Sequence, residues 1–339
     1  MNKGILIWGA GAIGGTLGAH LIRAGHDVTF VDVVADHVAA IRNDGLSIES
    51  PDGNFTVKAK AFLPEEVEGV WERIFLAVKA QHTADACTML KKHLADDGYV
   101  LSLQNGLCEL VIEQHVGRER TVGAFVNYGT DWLAPGRIMY SNPGAFVVGE
   151  LDGAMTPRLA ALHAVVRDFE PDAIQTDRIW SYLWGKLGYG SFLFAQALGQ
   201  KGIADCIARP ELLPVWRAIG SEVMAVAKAE GVEPIGFNGF DPEAFAPGGS
   251  EAAARASVDA MYAFNKPNPK SHSGIWRDLA VRKRRTEVDA QIVPIADIGE
   301  KHGIKCPAIR KLVELIHEVE DGKRPMTDDN LLVLLEAVK

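Results

Sequence analysis

From Gly4 to Trp8 the chain is a short apolar run with β-branched residues, the pattern of a buried strand. From Ala12 to Ala24 the period changes. Ile13, Leu17 and Leu21 recur every four residues, as on one face of a helix, and Gly25 supplies its stop. DVTFVDV (Asp27 to Val33) reads as a second strand. Strand, glycine-rich turn, helix and strand within about 30 residues form a βαβ unit, which calls for a right-handed crossover and parallel strands. The alternation continues: a helix near Val38 to Asn43, a strand over Arg73–Lys79, a helix near Thr83 to Leu94, and strands in GYVLSLQNG, TVGAFVNYGT and AFVVGE. This first half predicts an α/β domain with helices on both faces of a doubly wound sheet.

After about Asp177 strand signals fade. Ile179 to Gln200 is apolar nearly all round, as a central buried helix is. Leu213 to Glu230 reads as a helix stopped by Gly231. Lys266 to Gly274 reads as a loop, and Ile275 to His302 as one long helix. Ile309, Leu312, Val313 and Ile316 form the apolar face of another. The expected division is 1-175, a dinucleotide-binding domain, and 176-339, an all-helical domain for substrate and catalysis, with the cleft between them as the default site.

Composition narrows the classes. The chain has 339 residues, 47% hydrophobic and 23% charged, with a net charge of -9, so a general affinity for nucleic acid is not expected. Cys87, Cys108, Cys206 and Cys306 show no paired or metal-ligand spacing and read as reduced thiols, so no metal is expected. Six glycines between Gly4 and Gly18 argue against an export signal, and no run is long enough for a membrane span. The expectation is a cytoplasmic enzyme or binding protein.

The glycines instead spell G-x-G-x-x-G: Gly9, Ala10, Gly11, Ala12, Ile13, Gly14. Gly9 permits the tight turn, Gly11 lets a pyrophosphate approach the backbone, and Gly14 lets the helix pack on the strand. The first helical turn, with Ala12 and Ile13, offers free N–H groups to phosphates. The motif follows a strand and opens a helix, the context that gives it meaning. Asp32, at the end of the second strand, is placed to bond a ribose 2′-hydroxyl and to repel a 2′-phosphate. This favours NAD over NADP. A mere helix-capping role for Asp32 is the alternative, and His37 and Arg42 are the nearest candidates to receive a phosphate.

Beyond that motif, VKAQ (Val78 to Gln81), QNG (Gln104 to Gly106), WGKL (Trp184 to Leu187) and RTEVD (Arg285 to Asp289) occur in an order that resembles the ketopantoate reductases of the 6-phosphogluconate-dehydrogenase-like superfamily. The likeness covers nearly the whole chain. It implies a Rossmann-type domain followed by a helical domain, and hydride transfer from a reduced nicotinamide to the ketone of a 2-oxo acid. It implies Lys186 as the general acid, Glu287 as the acidic partner at the substrate's hydroxyl end, and Asn105 near nicotinamide and substrate. Lys79 is implied to place cofactor or substrate, and Ser273 to bind substrate. Taken alone, Lys186 could equally snorkel from an apolar helix, Glu287 could be a surface residue, Asn105 a turn residue and Lys79 a solvated strand end.

The resemblance has two departures. The family pattern carries asparagines four and eight residues after the lysine, where this chain has Gly190 and Phe194. Tyr189, Ser191 and Gln196 are polar but lie elsewhere on the helix. In SHSGIWRDLAVRKRRTEVD, Asp278 is one residue further from Glu287 than usual, so either Ser273 or Gly274 falls at the substrate serine. His272 and Trp276 are additional pocket candidates, with surface packing the simpler reading. The basic run Arg282 to Arg285 could hold a carboxylate, although such runs are more often solvated. The leading expectation is reduction of ketopantoate (2-dehydropantoate). The alternatives are an NAD-dependent dehydrogenase of a different 2-hydroxy acid and a non-catalytic NAD(P) sensor. An opine-type dehydrogenase is disfavoured because no histidine sits in a matching motif. A homodimer is left open.

Overall fold

The apolar run that opens the chain is β1 (Asn2–Trp8), and its side chains divide by parity. Ile5 and Ile7 enter one core, and Leu6 and Trp8 enter another on the opposite face. A strand buried on both faces belongs in the middle of a parallel sheet. The computed structural model describes residues 2–268 and 271–338, so Pro269 and Lys270 of the loop expected at Lys266–Gly274 lie outside the described residues. The chain forms two units, Met1–Ile179 and Trp180–Lys339. Ile179 stays with the first because its buried side chain lies over Gly123 and Gly149, so the division falls after Ile179 rather than after 175.

The remaining strands are β2 (Val28–Val31), β3 (Leu46–Glu49), β4 (Phe55–Val57), β5 (Lys60–Phe62), β6 (Trp71–Leu76), β7 (Leu94–Ser102), β8 (Thr121–Val126), β9 (Gly129–Ala134), β10 (Arg137–Asn142), β11 (Phe146–Glu150) and β12 (Ile174–Gln175). The larger sheet has the order β12-β11-β8-β7-β6-β1-β2-β5. β5, β2, β1, β6, β7 and β8 run parallel, and β11 turns antiparallel against β8. From β1 the chain builds outward through β2 and β5, then resumes at β6 on the other side. That reversal is the switch point where doubly wound sheets open a crevice. Helices Ala12–Arg23, Ala35–Asn43 and Pro157–Arg167 bury Leu17, Ile41 and Leu162 on one face. Helices Thr83–Leu90 and Glu109–Val116 bury Cys87, Leu90 and Ile112 on the other.

TVGAFVNYGT is not one strand. The chain turns at Asn127–Tyr128, leaving β8 in the large sheet and sending β9 into a second sheet of order β4-β3-β10-β9. The turn is set by bonds to the first helix: the Tyr128 hydroxyl donates to the Ile13 carbonyl (3.0 Å) and the Thr130 hydroxyl to that of Ala12 (3.2 Å). This small sheet sandwiches the helix Ala12–Arg23 against the large one. A Cβ on Gly15 would meet Ile138 at 2.3 Å and one on Gly18 would meet the Phe30 ring at 2.4 Å.

The second unit is helical among its described residues. Ile179–Gln196 is its central helix, with Leu213–Ala229, Glu251–Asn265 and Pro307–Glu320 among the others. The single helix expected over Ile275–His302 is instead three: Gly274–Ala280, Val288–Gln291 and Val293–Lys301. The break is electrostatic. The buried Asp278 carboxylate accepts from Arg282 (3.1 Å) and Arg284 (3.0 Å), and the Arg284 N–H bonds the Asp278 carbonyl. Lys283 takes a positive φ of 50° to allow it. Pro294, in the first turn of the last piece, was the local signal against a continuous helix.

Candidate active site

In the first unit the expected nucleotide residues converge. β1, β2, β6 and β7 end side by side, tied by Gly9 N–H to the Val31 carbonyl, Ala77 N–H to Trp8 and Leu103 N–H to Leu76, at 2.8, 2.8 and 2.9 Å. The glycine turn follows β1, Asp32 follows β2, Lys79 follows β6 and Asn105 follows β7. Gly9 sits at φ 104°, and a Cβ there would lie 2.7 Å from the Ala77 backbone. A Cβ on Gly14 would lie 2.1 Å from the Gly9 carbonyl oxygen. Gly11 differs: a Cβ there meets nothing within 4 Å. Gly11 caps the helix Ala12–Arg23, whose first-turn N–H groups have no intrahelical acceptor. Open space over donor groups and a positive helix end is the cradle that a pyrophosphate needs, so the residues fit a dinucleotide.

Asp32 braces this turn. One carboxylate oxygen accepts the Ala10 N–H (2.9 Å) and the other the Val34 N–H (3.0 Å). It holds the turn ahead of the helix Ala35–Asn43, whose N-cap is Val34, and each oxygen keeps a lone pair. The two candidate phosphate receivers are committed elsewhere. His37 is buried, its Nε2 on the Ala10 carbonyl (2.8 Å) and its Nδ1 accepting the Gly136 N–H (2.9 Å), which assigns the neutral Nε2–H tautomer. Arg42 donates to the Ala61 carbonyl (2.6 Å) and pairs with Glu66. Lys79 and Asn105 are both exposed at their strand ends. Gln104, beside Asn105, is a positioning residue the sequence reading did not single out. Its amide nitrogen donates to the Val78 carbonyl (3.0 Å) and the Thr83 hydroxyl (2.8 Å), which fixes the Asn105 turn to the segment bearing Lys79.

In the second unit Lys186 lies on the helix Ile179–Gln196. Between Ser181 and Gln196 every residue is buried except Tyr182, Lys186, Gly190 and Leu193, which are half-buried. Their spacing puts them on one stripe. Phe194 is buried in the core, beside the stripe rather than on it. Tyr189, Ser191 and Gln196 spend their polar atoms inside the unit, on Asn265 (3.1 Å), the Leu187 carbonyl (2.9 Å) and the Lys201 carbonyl (2.7 Å).

Glu287 is buried at the start of the short helix Val288–Gln291. Its position is set by its neighbour: Thr286 gives both its N–H and its hydroxyl to the Glu320 carboxylate, each at 2.7 Å. No local pattern links Thr286 to Glu320, so the sequence reading missed that bracket. Ser273 is buried and caps the helix Gly274–Ala280, accepting the Trp276 N–H (3.1 Å) and donating to Gln196 (3.3 Å). Gly274 beside it is exposed. His272 and Trp276 pack ring on ring and bond the Gln200 and Gly199 carbonyls, which is the surface-packing role. The basic run is paired internally, Arg282 and Arg284 with Asp278, and Arg285 with Glu320 and Asp321. Among the described residues no helix is long and apolar enough to cross a membrane, and no cluster of ligating side chains could hold a metal.

Residues 5–153 match the family model "Ketopantoate reductase PanE/ApbA" and residues 178–320 match that of its C-terminal domain. A 2-dehydropantoate 2-reductase of Archaeoglobus fulgidus is 28% identical over 94% of this chain and 98% of its own. A PanE/ApbA family ketopantoate reductase from Ralstonia eutropha JMP134 superposes with a TM-score of 0.79 at 28% identity, covering 95% of this chain and 99% of the other. A D-mandelate dehydrogenase solved with NADH and anilino(oxo)acetate has the same fold, with a TM-score of 0.82 at 23% identity over 94% of this chain and 99% of the other. The chain belongs to the ketopantoate reductase family of oxidoreductases.

Proposed function

We propose that the protein is an NAD-dependent enzyme interconverting a 2-oxo acid and its 2-hydroxy acid, with ketopantoate the first substrate to test. The observation that carries the reaction is Lys186, the one cationic side chain on the single half-buried stripe of an otherwise buried helix segment. A bound reduced nicotinamide supplies hydride to the carbonyl carbon. Negative charge then grows on the carbonyl oxygen, and the Lys186 ammonium stabilises it and delivers the proton. Glu287 binds the far end of the substrate. Ala12, Ile13 and Gly14 present N–H groups to the pyrophosphate, and Lys79 and Asn105, at adjoining strand ends, orient the nicotinamide half and the substrate. Ser273, as a buried cap, supports the helix Gly274–Ala280, which carries Asp278, more directly than it contacts substrate.

The cofactor preference rests on Asp32. Its fixed carboxylate accepts a ribose hydroxyl and opposes a phosphate, and the internal bonds of His37 and Arg42 keep both from receiving one. Four free, buried cysteines suit the reducing cytoplasm. The decisive assay follows nicotinamide absorbance with ketopantoate, with NADH and NADPH in parallel. Faster consumption of NADH supports the whole reading. NADPH preferred over NADH removes the role given to Asp32. Cofactor binding with no 2-oxo acid consumed favours a sensor.

A further inference from the structure

The glycine turn is gripped at Ala10 on both of its backbone groups. Asp32 takes the Ala10 N–H, and His37 holds the Ala10 carbonyl through Nε2 at 2.8 Å. Ala10 and His37 are both buried, so water cannot stand in for that donor. No peptide is cis among the described residues, and in a trans peptide the C=O and the following N–H point in opposite directions. Pinning the Ala10 carbonyl toward His37 therefore turns the Gly11 N–H away from the buried ring. Gly11 is the residue of the turn whose surroundings are open.

The other ring nitrogen ties His37 to the small sheet. Nδ1 accepts the Gly136 N–H at 2.9 Å, in the turn between β9 and β10. The Gly136 carbonyl in turn accepts the Ser47 N–H of β3 at 2.9 Å. The Trp132 ring of β9 stands edge-on to the imidazole, with centroids 6.3 Å apart. A Cβ on Gly136 would lie 2.9 Å from that of Ala40, so this turn sits close on the helix that bears His37. A neutral imidazole donates from one edge and accepts at the other, and here it spans from the small sheet to the glycine turn.

We infer that His37 is a positioning residue for the cofactor: its Nε2–H fixes the Ala10–Gly11 peptide plane, so that the Gly11 N–H is aimed at the pyrophosphate before it arrives. The small sheet thereby supports cofactor binding through one side chain. This rests on the reading of the glycine turn as a dinucleotide cradle. It goes beyond that reading by naming what orients the cradle's donor.

The test uses two partial mimics of the ring. Asparagine keeps an oxygen near Nδ1 for Gly136 but has no donor that reaches Ala10. Glutamine keeps an amide N–H near Nε2 for Ala10 but gives Gly136 no acceptor. Each loses one buried bond, so both should lower Tm. NADH affinity, titrated by fluorescence, should separate them: His37→Asn weakens it about tenfold, while His37→Gln stays within about threefold of wild type. Equal affinities in the two variants, both normal or both reduced, overturn the inference, because the ring would then act only through packing. The reverse order overturns it too. Should neither variant fold, the ring nitrogen NMR shifts of His37 in the wild type decide. An Nε2–H tautomer with and without NADH supports the inference, and an Nδ1–H or charged ring overturns it. A wild type that binds neither NADH nor NADPH overturns the cradle reading itself, and the inference with it.

Discussion

Two glycine-rich helices carry candidate residues, Ala12, Ile13 and Gly14 on one and Lys186 on the other, and their glycines divide in the same way. In Ala12–Arg23, Gly14, Gly15 and Gly18 are pressed by neighbours from two sheets, while the capping Gly11 faces open space. In Ile179–Gln196, Gly185 and Gly188 are pressed by Ile235, Met224 and Phe240, while Gly190 faces open space. The pressed glycines are structural, and packing makes no demand at the open ones. A glycine's role is thus decided by what a methyl group in its place would touch.

Substitution by alanine separates the two kinds. The largest stability losses belong to Gly185→Ala and Gly14→Ala, where the new Cβ strikes a carbonyl oxygen at 1.9 and 2.1 Å. Each should lose about 3 kcal/mol in urea unfolding. Stability within error of wild type in either would break the division. Gly11→Ala should cost only about 1 kcal/mol of stability, since alanine is the poorer cap. Its main effect should be on cofactor affinity, with an intrusion on the order of 1–3 kcal/mol, read by titrating NADH fluorescence. Unchanged affinity would show that the open space at Gly11 does not face the pyrophosphate. Asp32→Ala should give the smallest change, a shift of about tenfold toward NADPH in the ratio of kcat/KM values, on the order of 1 kcal/mol of charge repulsion removed. An unmoved ratio would leave Asp32 only as the brace of Ala10 and Val34.

Local signals made much of this legible. The βαβ unit, the glycine motif and the loss of strand character near Asp177 each lie within a short window, and the parallel sheet follows from them. The small sheet was not legible, because β3 and β4 are short and half-exposed and β3 pairs with β10, far along the chain. The broken helix after Ile275 was hidden because apolar spacing continues on both sides of the loop, and only Pro294 speaks against it. Lys186, Glu287, Asn105 and Lys79 were reached through the family likeness rather than through pattern. The different fates of Gly185 and Gly190 could not be read at all, since Ile235 and Phe240 are distant in sequence from the helix they press.

Lys186 is proposed to supply the proton, and the glycine turn of the first unit to hold the cofactor. The most direct test measures NADH affinity by fluorescence, and turnover of a reducible 2-oxo acid, on the same preparation of Lys186→Ala. The expected result is near-normal affinity with turnover lowered about 10²- to 10⁴-fold. Undiminished turnover would contradict it, and so would loss of NADH binding.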